Sequence, residues 1–302
     1  MKTKKIKNKL LKEQPEKYLA IKEEKIGDHI FYLGDVLLVL DKIENNSVDL
    51  IFTSPPYNVG IKYENHYDKL SYIQYLEWLS EVIKKLYHKL KDDGRFVINI
   101  PSITAEGEYK PLFVDVINIA HKIGFKIRND IIWFKHQVSK RTAWGSFKSP
   151  SDPYVIQPYE FILVFNKKYK KHKGKKENID ITREEFINFS LAFWNIRPEV
   201  RKEIIEACPA PFPEELAYRV LKFYTYKEDL VLDPFGGSGT TNYVAALLER
   251  KSIYIDNSLK SFKFALKRVS KVFNSLIKLK CLENKEKDEK MKKYLVKQLN
   301  FL

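Results

Sequence analysis

The chain is 302 residues long, 44% apolar and 31% charged, enough to bury one sizeable core and too apolar to be disordered throughout. No run reaches the ~18 uninterrupted apolar residues of a membrane span, and the lysine-rich start, Met1 to Leu11, lacks the apolar stretch of a secretory leader. Two cysteines, Cys208 and Cys281, supply neither a disulfide framework nor a four-ligand zinc site, so a reducing cytoplasmic setting is expected, while 54 basic against 39 acidic residues, a net +15, favour a polyanionic partner.

Residues 1–26 read as a basic arm, with folded structure starting near Asp28. His29 to Leu33 reads as a strand, followed by Gly34-Asp35 and a short helix through Ile43. Val48 to Thr53 is an apolar run of strand length. It stops at Ser54-Pro55-Pro56-Tyr57, because proline cannot donate to a sheet ladder. Ser71 to Leu90 carries apolar residues at helical spacing, with Ser71 and Gln74 placed as a capping box and Gly94 as the stop. Arg95 to Ile100 predicts a strand, Pro111 to Ile123 a helix ended by Gly124, and Phe125 to Lys135 and Phe161 to Phe165 two more strands.

This alternation is that of a parallel α/β sheet. It breaks between about His136 and Ala207, a region rich in Ser, Pro, Lys and aromatics that includes seven lysines in the eleven residues Asn166 to Lys176. It resumes with a helix from Pro213 to Tyr224, a strand Leu230 to Asp233, a helix Thr240 to Arg250, a strand Ser252 to Asp256 and a helix from Leu259. One doubly wound sheet interrupted by an insert is expected, with a lysine-rich, helix-prone tail.

Two strand ends carry chemistry. Asp233-Pro234-Phe235-Gly236-Gly237-Ser238-Gly239-Thr240 is a glycine turn between a strand and a helix, where doubly wound folds bind ligands. No lysine follows Gly239, so it is not a Walker A loop, and Asn242 stands where a dinucleotide fingerprint needs its third glycine. S-adenosylmethionine suits the loop better. Asp233 can hold its ammonium, Gly237 and Gly239 allow close backbone approach, and Asp256 at the next strand end can accept from ribose hydroxyls. A plain packing turn is the competing reading.

The second strand end is Thr53-Ser54-Pro55-Pro56-Tyr57-Asn58. The Ser54 hydroxyl and the Pro55 carbonyl can accept both N–H groups of an exocyclic amine, and Tyr57 offers a ring face to an extruded base. Alone, this corner reads first as a rigid turn beside a core tyrosine.

Together the two corners resemble the amino-group DNA methyltransferases. Ser54-Pro55-Pro56-Tyr57 matches that family's catalytic motif, and Asp233-Pro234-Phe235-x-Gly237-x-Gly239 its cofactor motif. Pro209 to Leu216, with Phe212, looks like the segment that closes the cofactor pocket, and Gly34-Asp35 like the motif whose acid lies near the adenine. The resemblance spans roughly residues 28–270. With the catalytic motif first, it implies the β-class permutation of a Rossmann-like S-adenosylmethionine-dependent fold. It also implies the layout: a basic arm (1–26), a catalytic half (27–136), a target-recognition insert (137–206), a cofactor half (207–270) and a basic tail (271–302). The implied cofactor residues are Asp35, Phe212, Asp233, Pro234, Phe235, Gly237, Gly239, Thr240 and Asp256.

In that family serine before the two prolines usually marks cytosine N4, and Asp or Asn adenine N6, so Ser54 points to N4-methylcytosine, with adenine N6 as the alternative. Carbon-5 methylation needs a thiolate, and Cys208-Pro209 reverses the required Pro-Cys order, so Cys208 reads as structural. An RNA or protein-amide methyltransferase, or a DNA-binding module without activity, explains less of the pattern. The implied partners are double-stranded DNA and a restriction endonuclease acting on the same site. Lys135, Lys140, Arg141, Trp144 and Lys148 mix cations and rings as nucleic-acid contacts do. The lysines of Asn166 to Lys176 are a second candidate for phosphate contact, against the plainer reading of solvated surface charge.

Overall fold

The computed structural model of the chain describes residues 21–61, 70–105, 108–135 and 145–283. The strands are β1 (Lys22–Ile26), β2 (His29–Leu33), β3 (Val48–Thr53), β4 (Leu90–Ile100), β5 (Ile103–Ala105), β6 (Glu108–Lys110), β7 (Lys126–Phe134), β8 (Tyr159–Asn166), β9 (Phe193–Asn195), β10 (Leu230–Asp233) and β11 (Lys251–Asp256). The helices are α1 (Val36–Leu40), α2 (Tyr72–Lys89), α3 (Leu112–Ile123), α4 (Arg183–Phe189), α5 (Lys202–Ala207), α6 (Glu214–Tyr224), α7 (Thr240–Leu247) and α8 (Leu259–Glu283). Among the described residues no helix is long and apolar enough to cross a membrane.

Among the described residues, nine strands form one sheet in the order β1-β2-β11-β10-β3-β4-β8-β7-β9. From β2 to β4 all neighbours are parallel, whereas β8 runs antiparallel to both β4 and β7, and β1 antiparallel to β2. The sheet is therefore mixed rather than wholly parallel. Side chains alternate across it. Ile51, Phe96, Ile98 and Leu232 meet buried residues of α1, α2 and α3 on one face. Leu50, Phe52, Val97 and Val231 meet α6 and α7 on the other, where Phe31 and Tyr254 also meet α8.

The chain winds away from the β10–β3 seam in both directions. β10 leads through α7 to β11 on one side, and β3 through α2 to β4 on the other. Such a reversal opens a crevice at the carboxyl ends of the two seam strands. Those ends are Asp233 and Thr53, so both chemical corners open on one crevice.

The predicted boundaries hold closely along β2, β3, β10 and the start of α8. Ser71 and Gln74 form the expected capping box, and Gly124 ends α3 at φ 117°. Three readings change. Lys22–Ile26 is not part of an arm but pairs with β2 through the Gly27-Asp28 turn; residues 1–20 lie outside the described residues. Gly94 is not the stop of α2, which ends directly into β4; it lies within β4, where a Cβ would come 2.8 Å from the Asp49 carbonyl oxygen. Of the expected insert, residues 137–144 lie outside the described residues, and the rest is not set apart from the fold, because β8 and β9 belong to the main sheet.

β8 carries the chain back to the amino-terminal edge of the parallel strands, where the first two lysines of the run are held by the fold and Lys170, Lys171, Lys173, Lys175 and Lys176 are exposed. Lys167 is buried and donates to the Leu90 carbonyl and Asn46 Oδ1, both at 2.6 Å. Lys168 pairs with Asp92 at 2.8 Å. His172 Nε2 lies 2.8 Å from Asp229 and 3.9 Å from Asp49, and its Nδ1 lies 3.7 Å from Asp93. Burial and the neighbouring Asp229 push the Asp49 carboxyl above its usual value.

Candidate active site

The Ser-Pro-Pro-Tyr corner leaves β3 at Thr53. Its serine and tyrosine turn toward each other, with Ser54 Oγ and Tyr57 Oη 2.5 Å apart. Tyr57 Oη donates to Glu160 Oε2 at 3.1 Å. Asn99, near the end of β4, donates from Nδ2 to Glu160 Oε2 at 2.5 Å and to Tyr57 Oη at 3.0 Å, with Ser54 Oγ at 3.4 Å. Lys135, just past β7, pairs with the other Glu160 oxygen. Asn99 and Glu160 are buried. Pro55 is buried and Pro56 half-buried. Asn58, at φ 59°, bonds both backbone groups of Leu70 and so brings the start of α2 to the corner.

Across the seam, Asp233 has no accessible surface. Its carboxylate accepts from Thr53 Oγ1 and Thr241 Oγ1, each at 2.7 Å, and from Phe235 N at 3.1 Å. It therefore ties the residue before the catalytic serine to the glycine loop and to the first turn of α7. The group is enclosed, and it braces the two strand ends against each other. Burial raises its carboxyl to about 6, against the pull of those three donors.

The remaining cofactor candidates gather around the loop. Asp256 Oδ2 accepts from Gly237 N and Oδ1 from Ser258 N, both at 2.8 Å, while its carbonyl accepts from Gly34 N at 2.9 Å. That last bond places Asp35 beside it, where Asp35 Oδ1 caps α1 through Leu37 N and Leu38 N. Phe235 is partly buried against the Trp78 ring at 5.6 Å, and Pro234 is buried. Phe212 is less exposed than expected of a pocket wall: at 8% it packs on Phe52, ring centres 5.0 Å apart. Thr240 is buried and accepts from Arg268 at 3.1 Å.

The glycines serve packing as much as any ligand. A Cβ on Gly237, at φ 49°, would lie 2.8 Å from Cys208 Sγ, so the segment ahead of Phe212 lies directly on the loop. The same enclosure raises the Cys208 thiol to about 11, as its structural reading requires. At Gly239, φ 73°, a Cβ would meet the Ala265 Cβ at 2.6 Å. Gly239→Ala is expected to cost about 2 kcal/mol through left-handed strain and a forced shift of α8. A denaturant midpoint equal to that of the native chain would show that the helices can move apart freely.

Of the predicted nucleic-acid contacts, Lys135 is partly exposed and pairs with Glu160. Lys148 is exposed beside Phe147, in the segment that leads into β8 at the crevice. Lys140, Arg141 and Trp144 lie outside the described residues. Sequence reasoning missed Asn99, Glu160 and Trp78. The first two had a signal: each is a polar residue set between apolar or aromatic neighbours near the crevice end of its strand.

A family model described as DNA methylase, for the N6/N4 methylases, matches residues 48–267, from the start of β3 into α8. The chain belongs to the N6/N4 DNA methylase family. It is 46% identical over 175 residues to the type II methyltransferase M.MjaVI of Methanocaldococcus jannaschii, covering 58% of this chain and 89% of that one. It is 31% identical over 254 residues to the DNA adenine methyltransferase YhdJ of Escherichia coli, covering 78% and 81%. Among solved structures, a DNA modification methylase from Thermus thermophilus complexed with S-adenosyl-L-methionine superposes with a TM-score of 0.65 at 28% identity, over 80% of this chain and 93% of that one. The matched span of this methylase holds both corners and the seam between them.

Proposed function

We propose that this methylase transfers a methyl group from S-adenosyl-L-methionine to the exocyclic amino group of a base turned out of double-stranded DNA, cytosine N4 by preference, as the modification partner of a restriction endonuclease. The observation that carries this reading is the Thr53–Asp233 bond, which fixes an amine-accepting corner beside a cofactor-type glycine loop. The residues suit the cofactor. The carboxylates of Asp35 and Asp256 stand at neighbouring strand ends for hydroxyl and amino donors, and Phe235 and Trp78 offer ring faces beside them. When bound, the cofactor supplies an electrophilic methyl group on a cationic sulfonium. Ser54 Oγ and the Pro55 carbonyl accept from the base amine and aim its lone pair, and Tyr57 bounds the base. No covalent enzyme intermediate is required.

The corner precedes the loop in the chain although their strands are neighbours, which supports the permuted, β-class order. Ser54 supports cytosine N4; the likeness to an adenine methyltransferase keeps adenine N6 as the second reading. Mass spectrometry of nucleosides from DNA treated with the protein and methyl-labelled cofactor tests both. Labelled N4-methylcytosine is expected. Labelled N6-methyladenine would move the base, and label only in RNA or protein would overturn the assignment.

Sequence-specific contact belongs to residues 145–158 rather than to the lysine run. Phe147, Lys148, Tyr154 and Val155 are exposed there, at the crevice end of β8. The run lies at the other end of that strand, roughly 23 Å away at ~3.3 Å per residue. Replacing Lys170, Lys171, Lys175 and Lys176 by alanine should therefore leave the salt dependence of DNA binding unchanged. Lys148→Ala should flatten its slope by roughly 0.9. Titrations at several salt concentrations decide; a flattened slope in the quadruple variant would put DNA on the far edge.

A further inference from the structure

We propose that Ser54, Tyr57 and Glu160 form a proton relay out of the catalytic corner, with Asn99 and Lys135 as the positioning residues that set its direction. The inference rests on the amino-methylation reading and goes one step past it, to the fate of the proton that the amine must lose.

The direction follows from which groups can donate. A carboxylate only accepts, so the Tyr57 hydroxyl proton is committed to Glu160 Oε2, 3.1 Å away. With that proton committed, the 2.5 Å contact between Ser54 Oγ and Tyr57 Oη is made by the serine proton. The Asn99 amide nitrogen only donates, and it points at Tyr57 Oη and Glu160 Oε2, at 3.0 and 2.5 Å. It thereby holds the two oxygens together, and its donation to Tyr57 Oη strengthens that hydroxyl as a donor toward Glu160. Lys135 holds the other Glu160 oxygen, which leaves Oε2 turned to the tyrosine. Each of these donors thus points toward Glu160, and the lone pairs of Ser54 Oγ face the incoming amine.

The step balances as follows. The lone pair of the amine nitrogen forms the new N–C bond while the methyl–sulfur bond breaks, its electron pair staying on sulfur. As that bond forms and positive charge gathers on the nitrogen, one of its protons passes to Ser54 Oγ in the same step. The serine proton passes to Tyr57 Oη, and the tyrosine proton to Glu160 Oε2. The product base leaves neutral, Glu160 holds the proton as a carboxylic acid, and solvent takes it up before the next turnover. Burial of Asn99 and Glu160 shields the wire from water along its inner half.

Tyr57→Phe is the discriminating variant, because it keeps the ring and removes only the relay atom. The measurement is single-turnover methylation of DNA by the full chain at saturating cofactor and DNA, in H2O and in D2O, with binding constants for both ligands and a thermal melt for each variant. For Tyr57→Phe and Glu160→Gln the proposal expects cofactor and DNA affinities within about twofold of native, transfer slowed about 100-fold or more, and loss of the native solvent isotope effect. Glu160→Asp should recover part of the rate. If Glu160→Gln does not fold, Tyr57→Phe and Lys135→Met carry the test. Native-like transfer by Tyr57→Phe, or slowed transfer with the isotope effect intact, would overturn the relay while leaving the methylation reading standing. A native chain that methylates no DNA would instead overturn that reading.

Discussion

Ser54→Ala should bind cofactor and DNA as the native chain does and transfer methyl groups about 10²–10³-fold more slowly. The substitution removes one acceptor at the reacting amine and leaves the Pro55 carbonyl in place. A single preorganised hydrogen bond that strengthens as the reaction proceeds carries an effect of that size. The cofactor loop is untouched, because its link to β3 runs through Thr53 rather than Ser54. DNA affinity is untouched because phosphate contacts dominate it. Tyr57→Ala should lose still more, since the ring goes together with the hydroxyl and base stacking alone is worth ~1–3 kcal/mol. Single-turnover rates at saturating DNA and cofactor, beside separately measured binding constants, give the comparison. Native-like transfer in both variants would reduce the corner to a turn and move the active site elsewhere.

Asp233→Asn should make the protein more stable at neutral pH and a poorer cofactor binder. The folded chain holds the Asp233 carboxyl at about 6, above the ordinary 3.8. Between those values the native state binds the proton that the unfolded chain has lost. Stability from this group is therefore present at low pH and is lost as pH rises from about 4 to 6. Above that window the loss amounts to roughly 3 kcal/mol. Asparagine removes the titration and keeps the geometry: its oxygen accepts from Thr53 and Phe235 N, and its amide can donate to a rotated Thr241 hydroxyl. The melting temperature at pH 7 should rise by roughly 5 °C, and its fall between pH 4 and 6 should flatten. Cofactor affinity should fall by on the order of 1 kcal/mol, because a negative charge behind the loop is lost where a cationic ligand binds. Melts across the pH range and calorimetric titration test the two halves separately. A less stable variant would refute the cost of burial, and unchanged affinity would refute the electrostatic role.

What the sequence disclosed follows from where its signals are local. β3 and β10 are short apolar runs cut off by proline, and each strand end is written in the residue types themselves. Ser71 with Gln74, and Gly124, are equally self-contained. Gly94 misled because glycine marks both a helix stop and a close backbone approach, and only the Asp49 carbonyl across the sheet decides between them. The start of the lysine run was illegible for a related reason: Asp92, which pairs with Lys167 and Lys168, and Asp49, Asp93 and Asp229, which surround His172, come from three other places in the chain. Lys135 looked like a free cation until β8 brought Glu160 beside it. Asp233 was found at the right strand end, but its task as a brace was not legible, since burial and three donors are properties of the folded crevice.

The place of β11 has a consequence for how this protein comes into being. β2 leaves the amino-terminal side early, yet its neighbours in the sheet are β1 and β11, and β11 is the last of the described strands to be made. A chain growing from the ribosome must therefore keep the β1–β2 hairpin waiting while more than two hundred residues follow it. Asp233 reaches Thr53 almost as late, 180 residues downstream of it. Contacts so distant in sequence close slowly and leave strand edges open meanwhile. A nascent or truncated chain that stops short of β11 thus has the catalytic serine in hand and an unfinished sheet. Such fragments would lack the strand that joins β2 to the rest of the sheet, so the modifying activity is expected only once β11 has been made.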